Sequence, residues 1–330
     1  MNSNDEVQRE SARRTRRSFL IAGVGVAGGY SLFRWIDRAP GDQLLPRPLR
    51  KGLNFNEAVS RALFHEHALT PTYNVNEARD LRVNGDYGLK QELVAESFRL
   101  QVVGVAGAET MPQYVKDVTA WEYQYKADAA VYERHDTKVA PKEEPAAKPM
   151  PPEFSKAFAE MKQAEGGKRE RGLEEAGQSD STLEPGTPGL LLKMADITRL
   201  NRTDLVTQFK CIEGWSEIVH WGGFRLADLI AAYPPARDAQ GALPKYVYME
   251  TPNGDYYTGY ELAECMHPQT LLVTEMAGRP LTAAHGAPLR LHMPIKYGYK
   301  QIKRIGLIAY TNDKPDDYWT KLGYDWYAGL

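Results

Sequence analysis

The sequence predicts an α+β fold, that is, a mixed α/β fold in which strands outnumber helices. From residue 189 onwards, short segments rich in alternating apolar residues are typical of strands, and only brief helical patterns separate them. Strands and helices do not alternate regularly here, whereas they would in a series of βαβ units. G-x-x-x-x-G-K-[ST] does not occur, and the one G-x-G-x-x-G string, GVGVAG at residues 23–28, lies in the apolar segment near the N-terminus rather than after a predicted strand, so a nucleotide site has no support in the sequence.

The composition is that of an ordinary globular protein. The chain has 330 residues, of which 42% are hydrophobic and 25% charged, and its formal net charge is -2. This length suffices for one large domain or two smaller ones with a sizeable core. A charge so close to zero provides no general basic field, which argues against nucleic acid as the main partner.

Residues 1–37 have the pattern of an export signal. Four arginines between residues 13 and 17 precede the apolar segment FLIAGVGVAGGYSLF. The string TRRSFLI matches the twin-arginine pattern, which an export receptor reads, so we expect a periplasmic or other extracytoplasmic location. No Ala-x-Ala triplet occurs within residues 34–60, directly after this segment. Two alternatives therefore stay open: cleavage of the signal, or its retention as an N-terminal membrane anchor, for which the apolar run is short.

We expect one large domain over residues 50–330, interrupted by a flexible insertion at about residues 128–188. The insertion is rich in Lys, Glu, Ala and Pro, as in KVAPKEEPAAKPMPPEF, and such a composition buries little apolar surface. Its charges indicate a solvated surface, and a docking role is the alternative.

Local patterns predict individual elements on both sides of this insertion. Before it, we expect an amphipathic helix over residues 54–69, with Phe55 and Val59 on its apolar face, a loop over residues 81–89, and a strand beginning at Phe98. After it, the predicted strands include TQFKC (207–211), KYVYMET (245–251), TLLVTEM (270–276), APLRLHMP (287–294) and KRIGLIAYT (303–311), and the predicted short helices are FRLADLIAAY (224–233) and YELAECMH (260–267).

The two cysteines differ in their local context. Cys211 ends a predicted strand and is followed by Glu213, Gly214 and Trp215. Glycine permits a close approach of the backbone and an indole can enclose a site, so this context favours a metal-binding thiolate. Cys265 lies among apolar residues and is predicted to be a buried core residue. A disulfide between the two is the alternative reading for an exported chain.

A second group of polar residues lies downstream, in AAHGAPLRLHMPIKYGYKQIKRI. It contains His285, Arg290, Lys300 and Lys303 between glycines and prolines. Basic residues on turns between strands can converge on one point. This pattern therefore predicts an anion-binding site.

The strings KCIEGWS, YVYMET and HGAPLRL…KYGYKQIK, in this order, resemble the molybdopterin domain of the sulfite oxidase superfamily. The similarity is greatest to the branch of the periplasmic methionine sulfoxide reductase catalytic subunit, and it runs from about residue 69 to residue 105 and from residue 189 onwards. The resemblance implies a sulfite oxidase-type molybdopterin-binding domain. The sequence after the last strand is too short for the immunoglobulin-like dimerisation domain of sulfite oxidases, so we expect that domain to be absent.

The resemblance also implies a Mo-molybdopterin cofactor, with Cys211 as the catalytic residue and as the single protein ligand of the metal. A soft thiolate suits molybdenum that the two dithiolene sulfurs of the pterin already hold. The positions implied to bind the cofactor are Asn84, Tyr87, Cys211, Thr251, His285, Arg290, Gln301, Ile302 and Lys303. For Asn84 and Tyr87, a plain Asn-Gly turn is the alternative.

The implied function is that of an exported oxidoreductase that transfers an oxygen atom. Sulfite-oxidising members carry arginines soon after the metal-binding cysteine, whereas Arg225 is the first arginine after Cys211 here. This favours reduction of a small or protein-bound sulfoxide-type substrate. Because no haem segment is present, electrons would come from a separate partner, a membrane haem protein or a cytochrome. A sulfite-oxidising enzyme and a cofactor-free binding or assembly module of the same fold are the alternatives.

Overall fold

The structure, a computed structural model, describes residues 28–42, 45–64, 68–130 and 179–330. Most of the export pattern, residues 1–27, and most of the predicted insertion, residues 131–178, lie outside the described residues. The chain divides into two units, Met1–Asn56 and Glu57–Leu330. Within the described part of the chain, no helix has both the length and the apolar character needed to cross a membrane.

Strands outnumber helices in the described residues, as predicted. The strands are β1 (Gly41–Asp42), β2 (Leu45–Pro46), β3 (Gln91–Leu93), β4 (Leu100–Val103), β5 (Tyr114–Val115), β6 (Tyr125–Ala130), β7 (Gly189–Leu192), β8 (Arg202–Lys210), β9 (Ser216–Arg225), β10 (Tyr246–Glu250), β11 (Tyr257–Glu261), β12 (Leu271–Met276), β13 (Arg279–Pro280), β14 (Arg290–His292) and β15 (Leu307–Thr311). The helices are α1 (residues 28–37), α2 (Arg47–Leu63), α3 (Met194–Ile197), α4 (Leu226–Ala232), α5 (Leu262–Cys265) and α6 (Tyr318–Lys321).

The predicted amphipathic helix is present but shifted. Helix α2 begins at Arg47 rather than at residue 54, and Pro48 in its first turn fits this start because the missing N–H has no helical partner there. The helix ends at Leu63, before the predicted end. Its predicted apolar face is not a core face, since Phe55 is 72% and Val59 is 39% exposed.

A six-stranded sheet forms the first layer of the larger unit. Its strand order is β11-β10-β15-β4-β7-β5, and β15 and β4 are parallel whereas the other neighbours are antiparallel. The prediction of a strand after Phe98 is confirmed by β4, in which Leu100 and Val102 are fully buried. Gln101 between them is buried as well, so both faces of this central strand are covered.

A second sheet carries the loop around Cys211. Its order is β13-β12-β9-β8, with β14 also paired to β12. Strands β8 and β9 form a long antiparallel hairpin that ends at the pair Lys210–Ser216. The five residues that close the hairpin, 211–215, therefore project from the end of the sheet, which explains why Cys211 lies at an edge.

The prediction missed β9, although this is one of the longest strands described. Its glycine pair, Gly222 and Gly223, is unfavourable for a strand when it is judged by propensity alone. The tertiary structure requires at least one of them, because a Cβ on Gly223 would lie 2.2 Å from the carbonyl oxygen of Leu272 in β12. The neighbouring strands thus approach each other more closely than a side chain allows.

The two faces of the second sheet pack differently. Leu272 joins a large apolar cluster that also contains Leu100 and Val247 of the six-stranded sheet, so the two sheets share one core. In the same strand, Leu271 and Val273 flank Leu272 and point to the opposite face. They join a smaller cluster that includes Trp221, Phe209 and Leu81. Cys211 and Trp215 pack against this smaller cluster, which places them on the outer side of the second sheet.

Candidate cofactor-binding site

Cys211 lines a cavity of about 260 Å³. Five separate parts of the chain enclose it: the loop over residues 81–87, the end of the β8–β9 hairpin, the turn between β10 and β11, the segment that begins at β14, and the segment that includes α6. The lining residues are Leu81, Arg82, Asn84, Gly85, Tyr87, Phe209, Cys211, Ile212, Glu213, Trp215, Tyr256, Arg290, Gly298, Tyr299, Gln301, Lys303, Trp319 and Tyr324. Six of the nine predicted site residues, Asn84, Tyr87, Cys211, Arg290, Gln301 and Lys303, thus meet in one place.

The hairpin turn fixes the position of the Cys211 thiol. The backbone N–H of Cys211 donates to the carbonyl of Trp215 at 2.9 Å, and the N–H of Gly214 donates to the carbonyl of Cys211 at 3.2 Å. Burial is the main cause that raises the pKa of the thiol, and the nearby Glu213 carboxylate raises it further. The thiolate therefore needs a positive partner at the sulfur, and a bound metal ion is such a partner.

In the described structure, the side chains near Cys211 do not form a metal-binding cluster with it. In the described ranges, no group of three or more His, Cys, Asp or Glu residues is arranged to hold a metal ion. A metal bound at Cys211 would thus take its remaining ligands from a cofactor or from solvent. Cys265 is fully buried in the core, as predicted, and both cysteines are free.

Asn84, Glu213 and Trp215 form a hydrogen-bonded group beside the thiol. The side-chain nitrogen of Asn84 lies 3.8 Å from the sulfur of Cys211 and donates to Oε2 of Glu213 at 3.2 Å. The indole nitrogen of Trp215 donates to the same oxygen at 2.9 Å. The Asn84 side chain therefore does more than form a turn, because it links the 81–87 loop to the cysteine hairpin.

Arg290 is a buried cation without an acidic partner. Its side chain is 1% exposed, and among the described residues no carboxylate forms an ion pair with it. One terminal nitrogen donates to the carbonyl of His285 at 3.2 Å, while Nε has no hydrogen-bond partner. Burial lowers the pKa of Arg290 to about 10, which measures how unfavourable the charge is in this environment. An anion in the cavity would compensate it.

Lys303 is the second cation of the cavity without a carboxylate partner in the described part of the chain. Its ammonium donates to the carbonyl oxygens of Asn84 at 2.8 Å, Gly85 at 3.0 Å and Ala284 at 3.3 Å. Burial lowers the pKa of Lys303 to about 7, and the charge of Arg290 contributes in the same direction. Two buried cations, one of which lowers the pKa of the other, indicate a site prepared for a negatively charged group.

His285, which the resemblance implied to bind the cofactor, is not among the residues that line the cavity. Its Nε2 donates to the carbonyl of Leu81 at 2.8 Å, and its Nδ1 accepts from the hydroxyl of Thr282 at 2.8 Å. Burial lowers the pKa of His285, so the ring is neutral and both nitrogens are engaged. Its contribution is to hold the 81–87 loop and to offer its carbonyl to Arg290. The following Gly286 has φ 97°, and a Cβ there would lie 2.8 Å from the backbone of Arg304.

Gln301 is held by a buried chain of hydrogen bonds that the sequence did not indicate. Nδ1 of His292 donates to Oε1 of Gln301 at 2.8 Å, and Nε2 of His292 accepts from the hydroxyl of Thr207 at 2.7 Å. Burial is the main cause that lowers the pKa of His292 to about 3, so the ring stays neutral. The amide nitrogen of Gln301 donates to the carbonyl of Lys296 at 3.0 Å.

Thr251 and Ile302 lie behind the cavity wall rather than in it. The hydroxyl of Thr251 donates to a side-chain oxygen of Asn253 at 2.9 Å. Thr251 also packs so closely against the loop after Tyr87 that a Cβ on Gly88 would lie 2.4 Å from its methyl group. Ile302 is fully buried in the large core cluster.

Several lining residues were not predicted. Tyr256, Tyr299, Trp319 and Tyr324 form an aromatic wall with the predicted Tyr87, whose ring centre lies 5.5 Å from that of Trp319. Arg82 was also missed: its guanidinium lies 4.7 Å from the ring centre of Trp215. The cavity therefore has an exposed arginine, although the sequence directly after Cys211 contains none.

These observations fit a molybdopterin-type cofactor. Two cations, Arg290 and Lys303, suit a phosphate group, and a half-buried thiol on the same cavity suits a soft metal. The fold and the site together define the class of a mixed α/β domain whose cavity suits an anionic cofactor that carries a metal.

Comparison with known families makes this class specific. Residues 186–319 match the family model of the oxidoreductase molybdopterin-binding domain. The match includes Cys211, Arg290 and Lys303, whereas Asn84 and Tyr87 precede it.

Curated relatives of this part carry related names. The YedZ1 protein of Azospira oryzae, provisionally named a protein-methionine-sulfoxide reductase subunit, is 37% identical over 134 residues, which are 41% of this chain and 49% of that protein. The protein-methionine-sulfoxide reductase catalytic subunit MsrP of Campylobacter jejuni is 34% identical and covers 43% of this chain and 52% of its own length. MsrP of Xanthomonas campestris is 33% identical, over 41% of this chain and 45% of its own length. The chain thus matches about half the length of these relatives.

Among solved structures, the sulfane dehydrogenase SoxCD from Paracoccus pantotrophus is similar at 18% identity with a TM-score of 0.35. The similarity covers 38% of this chain and 36% of that chain.

Proposed function

We propose that the chain is a molybdenum-molybdopterin oxidoreductase that reduces a sulfoxide-type substrate by oxygen-atom transfer. One observation carries the proposal: the thiol of Cys211 and the two cations Arg290 and Lys303 line the same cavity. A thiol alone would also suit a structural cysteine, and buried cations alone would suit any anion. Their combination suits a cofactor that joins a soft metal to a phosphate.

Each group would have a defined task. Cys211 would be the protein ligand of the metal, and Asn84 would hold the sulfur through its amide. Arg290 and Lys303 would bind the phosphate, while the His292–Gln301 hydrogen bond would fix the wall between them. When bound, molybdenum supplies the two-electron exchange that accompanies transfer of an oxygen atom. The aromatic wall of Tyr87, Trp319 and Tyr324 would exclude water from the substrate.

The direction of the reaction is proposed from the relatives. Those that match the domain are named for the reduction of protein-methionine-sulfoxide. This supports a sulfoxide, small or protein-bound, as the substrate. The names of these relatives as subunits also support a separate electron-transfer partner, for which we propose a membrane haem protein or a cytochrome. The twin-arginine pattern near residue 16 supports export to the periplasm, with or without retention of the segment as an anchor.

The experiment is a comparison of two reaction directions on the same preparation. The full chain is purified, and molybdenum and pterin are measured per chain. Sulfoxides are offered with a reduced viologen dye as the electron donor, and sulfite is offered with an artificial acceptor. We expect about one molybdenum per chain and viologen oxidation that depends on the sulfoxide.

Two outcomes would contradict the proposal in different ways. Loaded protein that oxidises sulfite but reduces no sulfoxide would identify a sulfite-oxidising enzyme of the same superfamily. Folded protein without molybdenum or pterin, produced in a host that makes the cofactor, would instead indicate a binding or assembly module.

A further inference from the structure

The carboxylate of Glu213 projects into the cavity beside the thiol. Among the described residues that line the cavity, Glu213 is the only acidic one. Its hydrogen-bond donors are neutral, namely the amide of Asn84 and the indole of Trp215, and both use Oε2. Its charge is therefore not neutralised by any cation bonded to it in the described structure.

The cations of the cavity have other counterparts. Arg82 pairs with Glu217, whose Oε1 lies 3.4 Å from its Nε and whose Oε2 accepts from its backbone N–H at 2.8 Å. Arg290 and Lys303 would be neutralised by the phosphate of the bound cofactor. The electrostatic field next to the sulfur would then be dominated by the negative charge of Glu213 and by the metal centre.

The carboxylate is close enough to the reacting position to matter. The side-chain nitrogen of Asn84 lies 3.8 Å from the sulfur of Cys211 and 3.2 Å from Oε2 of Glu213, so sulfur and carboxylate oxygen are within about 7 Å of each other. At such a distance near a protein surface, one unit charge changes the affinity for another by about tenfold.

We propose that Glu213 determines the charge class of the substrate: it disfavours anionic oxides, sulfite included, and favours neutral or cationic sulfoxides. The inference rests on the proposed oxygen-atom transfer at Cys211 and adds a specificity-determining residue to it. Nothing bonds to Oε1 of Glu213 in the described structure, so this oxygen is available to accept a hydrogen bond from an ammonium or an amide of the substrate.

The test uses three substrates with the same sulfoxide and different charges. These are the methyl ester of methionine sulfoxide, which is cationic, N-acetylmethionine sulfoxide amide, which is neutral, and N-acetylmethionine sulfoxide, which is anionic. For each, kcat/KM is measured with a viologen donor and normalised to molybdenum content. We expect the cationic substrate to be preferred over the anionic one, and Glu213→Gln to reduce that ratio by about tenfold or more.

A matched control separates local from general charge effects. Glu109→Gln removes the same charge from an exposed 3₁₀ turn outside the cavity lining. It should leave the ratio at the wild-type value. A Glu213→Gln enzyme that contains normal molybdenum and keeps the wild-type ratio would overturn the inference and leave the proposed function intact.

A second measurement does not depend on turnover. In the cofactor-free full chain, Cys211 is alkylated by iodoacetate, which is anionic, or by iodoacetamide, which is neutral. Both react with the thiolate, so their rate ratio reports the local charge independently of the thiol pKa. We expect Glu213→Gln to raise the relative rate of iodoacetate about tenfold, whereas buried Cys265 reacts slowly with both. If wild type reduces none of the sulfoxides, the proposed function fails, and an unchanged alkylation ratio would refute the role of Glu213 separately.

Discussion

The guanidinium of Arg290 lies 5.0 Å from the ring centre of Trp221, and the imidazole of His292 stacks on the same indole at 4.8 Å. Arg290 and His292 are two residues apart in β14 and therefore face the same side of the sheet. The fully buried Trp221 thus supports both the cation of the proposed phosphate site and the histidine that holds Gln301.

Replacement of Arg290 should weaken cofactor retention more than it changes turnover. Arg290→Ala removes a cation from a buried site, and loss of one charge-assisted contact costs about 1.5–3 kcal/mol. Molybdenum and pterin per chain should fall at least tenfold under dilute, dialysed conditions, and Arg290→Lys should restore them only in part because it lacks the planar fork. Arg279→Ala, which breaks an exposed pair with Asp80, is the control and should keep normal content. Equal content in Arg290→Ala and wild type would refute the phosphate site.

Trp221 should affect the cofactor through Arg290. Trp221→Leu removes the ring beneath the guanidinium, and it should cost about 3–5 kcal/mol of unfolding free energy together with a loss of bound pterin. Trp221→Phe keeps an aromatic face and should lose less of both. Trp326→Leu is a matched control, because Trp326 is also buried and lies 4.7 Å from a cation, Lys300, but this cation does not line the cavity. A similar loss of pterin in both leucine variants at equal stability would show that only global stability matters.

The metal assignment is tested on the two cysteines in parallel. Cys211→Ser should lose the activity with sulfoxides and bind molybdenum weakly, since a hydroxyl is a poor ligand for a soft site, while the fold is retained. Cys265→Ala removes the other thiol from the core and should cost about 1–2 kcal/mol in urea unfolding while the loaded fraction keeps its activity. Molybdenum analysis and circular dichroism check both. A serine variant with full activity would exclude Cys211 as the ligand.

Acid should destabilise the cofactor-free fold partly through His292. The folded-state pKa of about 3 lies below the usual value of 6.5, so between these values the unfolded chain binds a proton that the folded chain does not. Stability should therefore fall as the pH decreases through this range, by about 1.4 kcal/mol per pH unit from this group. His292→Asn should be less stable at pH 7 but should show a shallower pH dependence in urea unfolding between pH 4 and 6. The same slope in both proteins would contradict this linkage.

The sequence indicated several of the strands and six of the residues that line the cavity. Alternating apolar residues in TLLVTEM correspond to β12, because a half-buried strand needs one apolar face. Cys211, Arg290 and Lys303 were recognisable from their residue types and neighbours, and the structure brings all three to one cavity. The predicted start of α2 was wrong because its apolar residues do not mark the boundary, whereas Pro48 does.

The tertiary structure alone decided what surrounds these residues. Arg82, Glu213 and Trp319 come together from segments far apart in the chain, and no local pattern encodes which loops meet at the end of a sheet. The pairing of β12 with β14 helps to place His292 against Gln301, and His285 donates to the carbonyl of Leu81, so neither histidine lines the cavity. Local sequence sets backbone propensity and side-chain chemistry, but the register of strand pairing determines which side chains share a cavity, because a shift of one residue turns each of them to the opposite face.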